Sequence, residues 1–335
     1  MLCANCNLEM PADDAFCEEC GARLEGGAEP AAVALPPCVR CGAPAAAADE
    51  EGFCGECGFR REQPREHSET IVNERFAGVT DQGKRHANNE DSLAIAEHEG
   101  KQFLLVCDGV SSSQAASSAS AAAVDAAMKV LQGGGAIREA FSEACKMVAK
   151  LPYSTGEGDP PSTTFVGAVV DGRNATIAWA GDSRAYWICA NGSKQLTVDD
   201  SWLNDVVAEG SMTHDEALKS SKAHAITKWL GADAVEPEPG IVEFEIPEAE
   251  SGALLLCSDG LWNYCEAPEG LREMMPEGDA IEVARHYVDF ANAQGGRDNI
   301  SAAVFMFQAP VAVPEPEPVV AEPQPPVEEI VENHA

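Results

Sequence analysis

From Arg75 onward, apolar runs of strand length alternate with longer stretches of helical spacing. Gln114 to Leu131 is rich in Ala and Ser, holds no Pro or Gly, and is expected to be a helix that Gly133 to Gly135 break. Ile137, Phe141, Ala144, Cys145 and Val148 recur at helical spacing, predicting a helix over 137–151 that Pro152 stops. Phe165–Val170 and Ala175–Ala180 read as strands joined by the turn DGRN. Ala185–Ala190 and Gln195–Val198 flank NGSK as a second hairpin. Residues 201–228 are charged and helix-prone, 253–257 form a buried strand, 279–294 an amphipathic helix and 300–307 a last strand.

Four aspartates stand at the edges of such apolar runs: Asp108 in FLLVCDG, Asp182 in ATIAWAGDSR, Asp259 in ALLLCSDG and Asp298 in GGRDNISAAVFMF. A carboxylate at a core edge is costly unless something pairs with it. One such aspartate alone is more often a turn former, since Asp-Gly and Asp-Asn favour turns. Four together suggest a cluster that binds hard cations, for which carboxylates are the natural ligands.

The ends of the chain differ from its middle. Eight of the 13 cysteines fall in the first 57 residues as four CxxC pairs: Cys3/Cys6, Cys17/Cys20, Cys38/Cys41 and Cys54/Cys57. Two knuckles complete a tetrahedral four-thiolate site, so the duplicated pattern predicts two structural zinc ions, in preference to a redox dithiol or a disulfide framework. This segment resembles the paired zinc ribbons of many bacterial regulatory proteins, expected at 1–24 and 36–61. Residues 62–74 are polar and are expected to be a linker to a domain over 75–308. Residues 309–335 are rich in Pro, Glu, Val and Ala and read as a disordered tail, either solubilising or a docking peptide.

The chain has 335 residues, is 45% hydrophobic and carries a formal net charge of −34. That balance argues against nucleic-acid or anionic-membrane binding, which need a basic patch. No apolar run reaches the roughly 18 residues of a membrane helix. The start MLCANCNLEM has neither the basic nor the apolar region of a signal peptide, so the cytoplasm, where thiols stay reduced, is expected. Signatures of rival enzymes (GxxxxGK[ST], HExxH, GxSxG) are absent from the sequence.

The order of the motifs narrows the chemistry. GVTDQGKRHANNEDS, CDGVSSSQAASSAS, STTFVGAVV, WAGDSRAYWI, LTVDDSWLNDVVAEGSMTHDEA with AITKWLG, LLLCSDGLWN and GGRDNISAAV follow one another between Phe76 and Phe307. In that order they resemble the signatures of the PPM/PP2C family of metal-dependent serine/threonine protein phosphatases. The resemblance implies an α+β fold, an αββα sandwich with two or three Mn2+ or Mg2+ ions at one end. It implies that Asp108 bridges two metals with the Gly109 carbonyl beside it, that Asp259 and Asp298 hold the first metal, and that Asp182 helps bind a third. Glu90 and Asp91 would contact metal-bound waters, and a metal-bridging water would attack the phosphorus in line. Implied partners are phosphorylated proteins, with a cognate serine/threonine kinase or regulator reached through the ribbons. The chain departs from the pattern in places. His86 stands where the family's phosphate-holding arginine is expected, with Arg85 one place earlier, so either could hold the phosphate. Ser111 and Ser112 replace two loop glycines, and Val110 stands where many eukaryotic members place a candidate acid, so no general acid is assigned. A second reading is a phosphatase-like binding module of little turnover, localised by its ribbons.

Overall fold

The computed structural model describes residues 42–44, 55–57, 67–156, 158–234 and 237–309. Seven of the eight paired cysteines, from Cys3 to Cys54, and the tail from residue 310 lie outside them, whereas Cys57 lies within.

Chain order runs β1 (His67–Asn73), β2 (Phe76–Asp81), β3 (Ser92–His98), β4 (Lys101–Cys107), α1 (Ala116–Gln132), α2 (Ile137–Val148), β5 (Ser162–Thr163), β6 (Phe165–Asp171) and β7 (Asn174–Ala180). It continues through β8 (Arg184–Cys189), β9 (Lys194–Gln195), α3 (Trp202–Ala208), α4 (His214–Ala217), β10 (Leu230–Gly231), β11 (Gly240–Glu245), β12 (Gly252–Cys257), α5 (Asp259–Trp262), α6 (Pro268–Met274), α7 (Ala280–Gln294) and β13 (Ile300–Phe307). One antiparallel sheet has the order β1-β2-β13-β12-β8-β9 and a second β11-β7-β6-β4-β3; β5 and β10 pair separately.

Period-two alternation explains how these strands stack. In β4, Phe103, Leu105 and Cys107 face α1 and α2, where they meet Val124, Leu131 and Phe141. The intervening Leu104 and Val106 face the other sheet, where they join Leu254, Leu256, Phe305 and Trp187. In β12, Ala253, Leu255 and Cys257 turn the other way, onto Tyr287, Val288 and Leu271 of α6 and α7. The order is thus helices, sheet, sheet, helices. Strands buried on both faces read as unbroken apolar runs, which is why LLVC and ALLLC showed no alternation in the sequence. Full burial of each such leucine or valine is worth about 1.5–3 kcal/mol. Edge-to-face contacts of Phe305 with Phe76 (5.2 Å) and Phe307 (4.7 Å) fill the layer between the sheets.

Two segments differ from expectation. Residues 67–73, inside the expected linker, pair along β2 as an edge strand. All seven are exposed, so their polar composition reflects an edge position rather than a lack of structure. The helix-prone 201–228 stretch forms only two short helices, α3 and α4, joined by turns. Its charge pattern offered no broad apolar stripe; its only buried apolar residues are Leu203, Ala217 and Ala223. The remaining expected helices and strands occur within a few residues of their predicted ends; the second hairpin is shorter, with β9 confined to Lys194–Gln195. Among the described residues no helix is long and apolar enough to cross a membrane.

Candidate metal centre

Strand pairing alone brings the four aspartates together. β4 and β7 both run antiparallel to β6, with Val106 opposite Val166 and Ala180 opposite Phe165, so Asp108 and Asp182 follow strand ends that flank the start of β6. β12 runs antiparallel to β8 and β13, with Cys257 opposite both Arg184 and Ala302. Asp259 therefore leaves β12 beside the turn carrying Asp182 and beside Asp298, which enters β13. The chain crosses from one sheet to the other through Gly181-Asp182-Ser183, which closes the ring. All four carboxylates line one cavity of about 450 Å³, together with Gly109, Val110, Ser111, Ser112, Thr164, His86, His224, Arg297, Asn263 and Tyr264.

Three of the four aspartate segments are held from behind. The Asp108 backbone N–H donates to Thr164 Oγ1 (2.9 Å), and its carbonyl accepts from Thr164 N (2.7 Å) and Thr163 Oγ1 (2.8 Å). A Cβ on Gly109 would lie 2.6 Å from the Ala116 carbonyl oxygen, so only glycine allows the loop this close to α1. The Asp182 carbonyl accepts from Trp262 Nε1 (2.9 Å), and the Arg184 guanidinium stacks 3.6 Å from the Trp262 ring. Arg184 also donates to Asp199 (2.7–3.1 Å), which ties the DDS segment under the same wall. A Cβ on Gly260 would fall 2.0 Å from the Asn299 carbonyl oxygen, so the Asp-Gly pair at the start of α5 reflects close backbone packing as well as turn chemistry.

Asn299 is the residue that sequence reasoning passed over. It is 2% exposed, its Oδ1 accepts from Glu90 N (2.7 Å), and its Nδ2 donates to the carbonyls of Gln82 (2.8 Å) and Asn88 (3.0 Å). It thus staples the 82–90 loop to the strand that carries Asp298. Its position directly after Asp298 was the available signal. Asp91 is fully buried rather than on the cavity wall, and its Oδ2 accepts from Ser258 Oγ and Ser301 Oγ (both 2.7 Å). Glu90 Oε2 accepts from Ser111 Oγ (2.6 Å), so a serine that replaces a loop glycine orients this carboxylate. His86 Nε2 lies 3.3 Å from Asp298 Oδ1. Arg85 is exposed and stands off the cavity wall, whereas Arg297, not singled out from the sequence, lies on it.

The electrostatics follow from this crowding. Burial, then the charges of Asp91, Asp259, Asp298 and Asp182, hold the Asp108 carboxyl well above the usual carboxylate range. Burial and the neighbouring aspartates do the same to Asp259. Burial raises Asp91 to about 6, against the opposing hydrogen bonds of Ser258 and Ser301. Burial and the Asp199 charge raise Asp182 to about 7. Asp259 Oδ1 is buried with no hydrogen-bond partner. A cavity that concentrates carboxylates and leaves a buried carboxylate oxygen without a donor suits a protein that works with hard divalent cations.

Residues 80–295 match the protein phosphatase 2C family, and the chain belongs to that family. Residues 3–58 match the double zinc ribbon. The chain is 28% identical over 233 residues to the serine/threonine phosphatase stp of Listeria welshimeri, covering 66% of this chain and 91% of that protein. It is 30% identical over 242 residues to the serine/threonine protein phosphatase PstP of Mycobacterium tuberculosis, covering 69% of this chain and 44% of that protein. The solved catalytic domain of serine threonine protein phosphatase PstP in complex with two manganese ions shares the fold with a TM-score of 0.58 at 26% identity, covering 70% of this chain and 98% of that one.

Proposed function

We propose that the chain is a protein serine/threonine phosphatase that hydrolyses phosphoserine and phosphothreonine with Mn2+ or Mg2+ in the carboxylate cavity. The observation that carries this reading is the convergence of Asp108, Asp182, Asp259 and Asp298, from separate strand ends, on one cavity. The donor set fits hard cations: the groups are carboxylates, burial and mutual repulsion keep them short of counter-charge, and Asp259 Oδ1 awaits a partner. Among the described residues no three acidic, imidazole or thiolate groups stand close enough together to hold one ion as placed, so Asp108, Asp259 and Asp298 would draw together when an ion binds. A partial cage of this kind suits Mg2+ or Mn2+, which keep several of their waters.

In this reading Asp108, the Gly109 carbonyl beside it, Asp259 and Asp298 would hold the catalytic ions, and Asp182 would help hold a further one. When bound, the ions supply Lewis acidity and a nucleophilic water near neutral pH. The chain's own residues orient these groups. Thr163 and Thr164 fix the loop of Asp108, Trp262 fixes that of Asp182, and Asn299 fixes the approach of Glu90 to the site. Asp91 supports Asp108 from behind rather than facing substrate. Phosphoproteins are the substrates, and a cognate kinase or regulator docks on the ribbons, where two structural zinc ions are held by Cys3, Cys6, Cys17, Cys20, Cys38, Cys41, Cys54 and Cys57. A reducing compartment such as the cytoplasm suits those thiolates. The test is hydrolysis of p-nitrophenyl phosphate and a phosphothreonine peptide by the full chain with and without Mn2+. Metal-dependent turnover that vanishes in the Asp108→Ala, Asp259→Ala double variant is expected; turnover equal in both proteins would sink the reading.

A further inference from the structure

We infer that Arg297 is the residue that grips the substrate's phosphoryl oxygens, taking over the task from the first signature, where His86 replaces arginine. The inference rests on the phosphatase reading above and names a contact within the same site. Three observations carry it. First, Arg297 is the one arginine on the cavity wall, and no lysine lines it among the described residues. A planar guanidinium can meet two phosphoryl oxygens at once, which no other group on that wall can do. Second, the residues expected to do this work are placed otherwise: Arg85 is off the wall, and His86 Nε2 sits against the Asp298 carboxylate at 3.3 Å.

Third, the turn that presents Arg297 is built for close tolerance. Its backbone N–H donates to Tyr264 Oη (3.0 Å), and the two residues before it, Gly295 (φ 148) and Gly296 (φ 54), adopt positive φ. The Gly296 carbonyl accepts from Lys84 N (2.7 Å). A Cβ on Gly83 (φ 71) would lie 2.1 Å from the Asp298 carbonyl oxygen and 3.0 Å from that of Gly296. The 83–86 loop and the 295–298 turn are therefore locked together. This lock turns His86 toward Asp298 while Arg297, one residue earlier than Asp298, joins the same cavity wall. An anion in a cavity walled by four aspartates needs a cation beside the metal ions to offset repulsion, and Arg297 is placed to supply it.

The test is calorimetric binding of inorganic phosphate to the Mn2+-loaded full chain, compared among the wild type, Arg297→Ala, Arg297→Lys and His86→Ala. Arg297→Ala should weaken phosphate binding by about tenfold, the loss of one charge-assisted contact. Arg297→Lys should fall between, because it keeps the charge and loses the fork. His86→Ala should stay within about threefold. Mn2+ titration should give wild-type affinity in Arg297→Ala, and thermal unfolding should match, since the side chain is exposed. With a phosphothreonine peptide, the loss should appear in KM more than in kcat. Unchanged phosphate affinity in Arg297→Ala, or a larger loss in His86→Ala, would overturn the assignment. Phosphate binding is read without turnover, so an inactive wild type would count against the phosphatase reading and leave the Arg297 measurement standing.

Discussion

Asn299 shows how much of the site depends on a side chain that touches no aspartate cluster head-on. Its three hydrogen bonds join Glu90, Gln82 and Asn88 to the base of β13, across 209 to 217 residues of chain. Asn299→Ala would remove all three of these hydrogen bonds and loosen the loop that carries His86 and Glu90. Mn2+-dependent activity, or the Mn2+ concentration for half-activation, should worsen by about 10–100-fold, as for groups that support metal ligands elsewhere. Wild-type activation by Mn2+ in this variant would contradict the staple. The Asp-Asn pair also shows what was legible at this scale. Asp298 was marked by its place before an apolar strand, whereas the partners of Asn299 are so distant in sequence that no local pattern names them.

At the scale of elements, β1 is the informative case. Its residues are exposed, yet it occupies the edge of the six-stranded sheet and covers β2, whose first five residues are buried. Glu69 on β1 accepts from Arg285 of α7 (2.6 and 2.8 Å), and His67 contacts Asp81 (2.7 Å). These pairs are near the surface, screened by solvent, and each is worth little; the backbone ladder matters more. A chain of residues 67–309 should hydrolyse p-nitrophenyl phosphate as the full chain does, since the ribbons precede it. A chain of residues 76–309 should unfold several degrees lower in a thermal melt, because β2 would become an unprotected edge. Equal melting temperatures of the two shortened chains would show that β1 contributes nothing. The helix at 280–294 was readable in advance because its signals are local: Asp279 and Glu282 cap its start reciprocally and Gly295 ends it. The 201–228 stretch was not, because helix-prone residues without an apolar stripe gain nothing from packing as one long helix.

For the whole molecule, the concentration of carboxyls at one end couples metal binding to stability. Without metal, Asp91, Asp108, Asp182 and Asp259 hold their protons more tightly folded than unfolded. The folded state therefore binds more protons than the unfolded state above the ordinary carboxylate range, and stability falls as pH rises through about 6 for Asp91 and about 7 for Asp182. In EDTA the melting temperature should drop between pH 5 and pH 8. With Mn2+ the drop should shrink or reverse, because bound cations supply the missing counter-charge and ligand affinity grows as the carboxyls ionise. A metal-free melting temperature that rises steadily over that pH range would contradict the crowding.

The sequence by itself determined the apolar runs, the aspartates at their edges, the duplicated CxxC segment and, through motif order, the family, because each of these is written in neighbouring residues. The tertiary structure decided which side chains share the cavity. It moved Asp91 behind Asp108, turned His86 toward Asp298, brought Arg297 onto the wall and made residues 67–73 a strand. The reason is physical: periodicity and turn chemistry act over a few residues, whereas the facing partners of a strand end or a loop are set by pairing register and by packing between segments far apart in the chain.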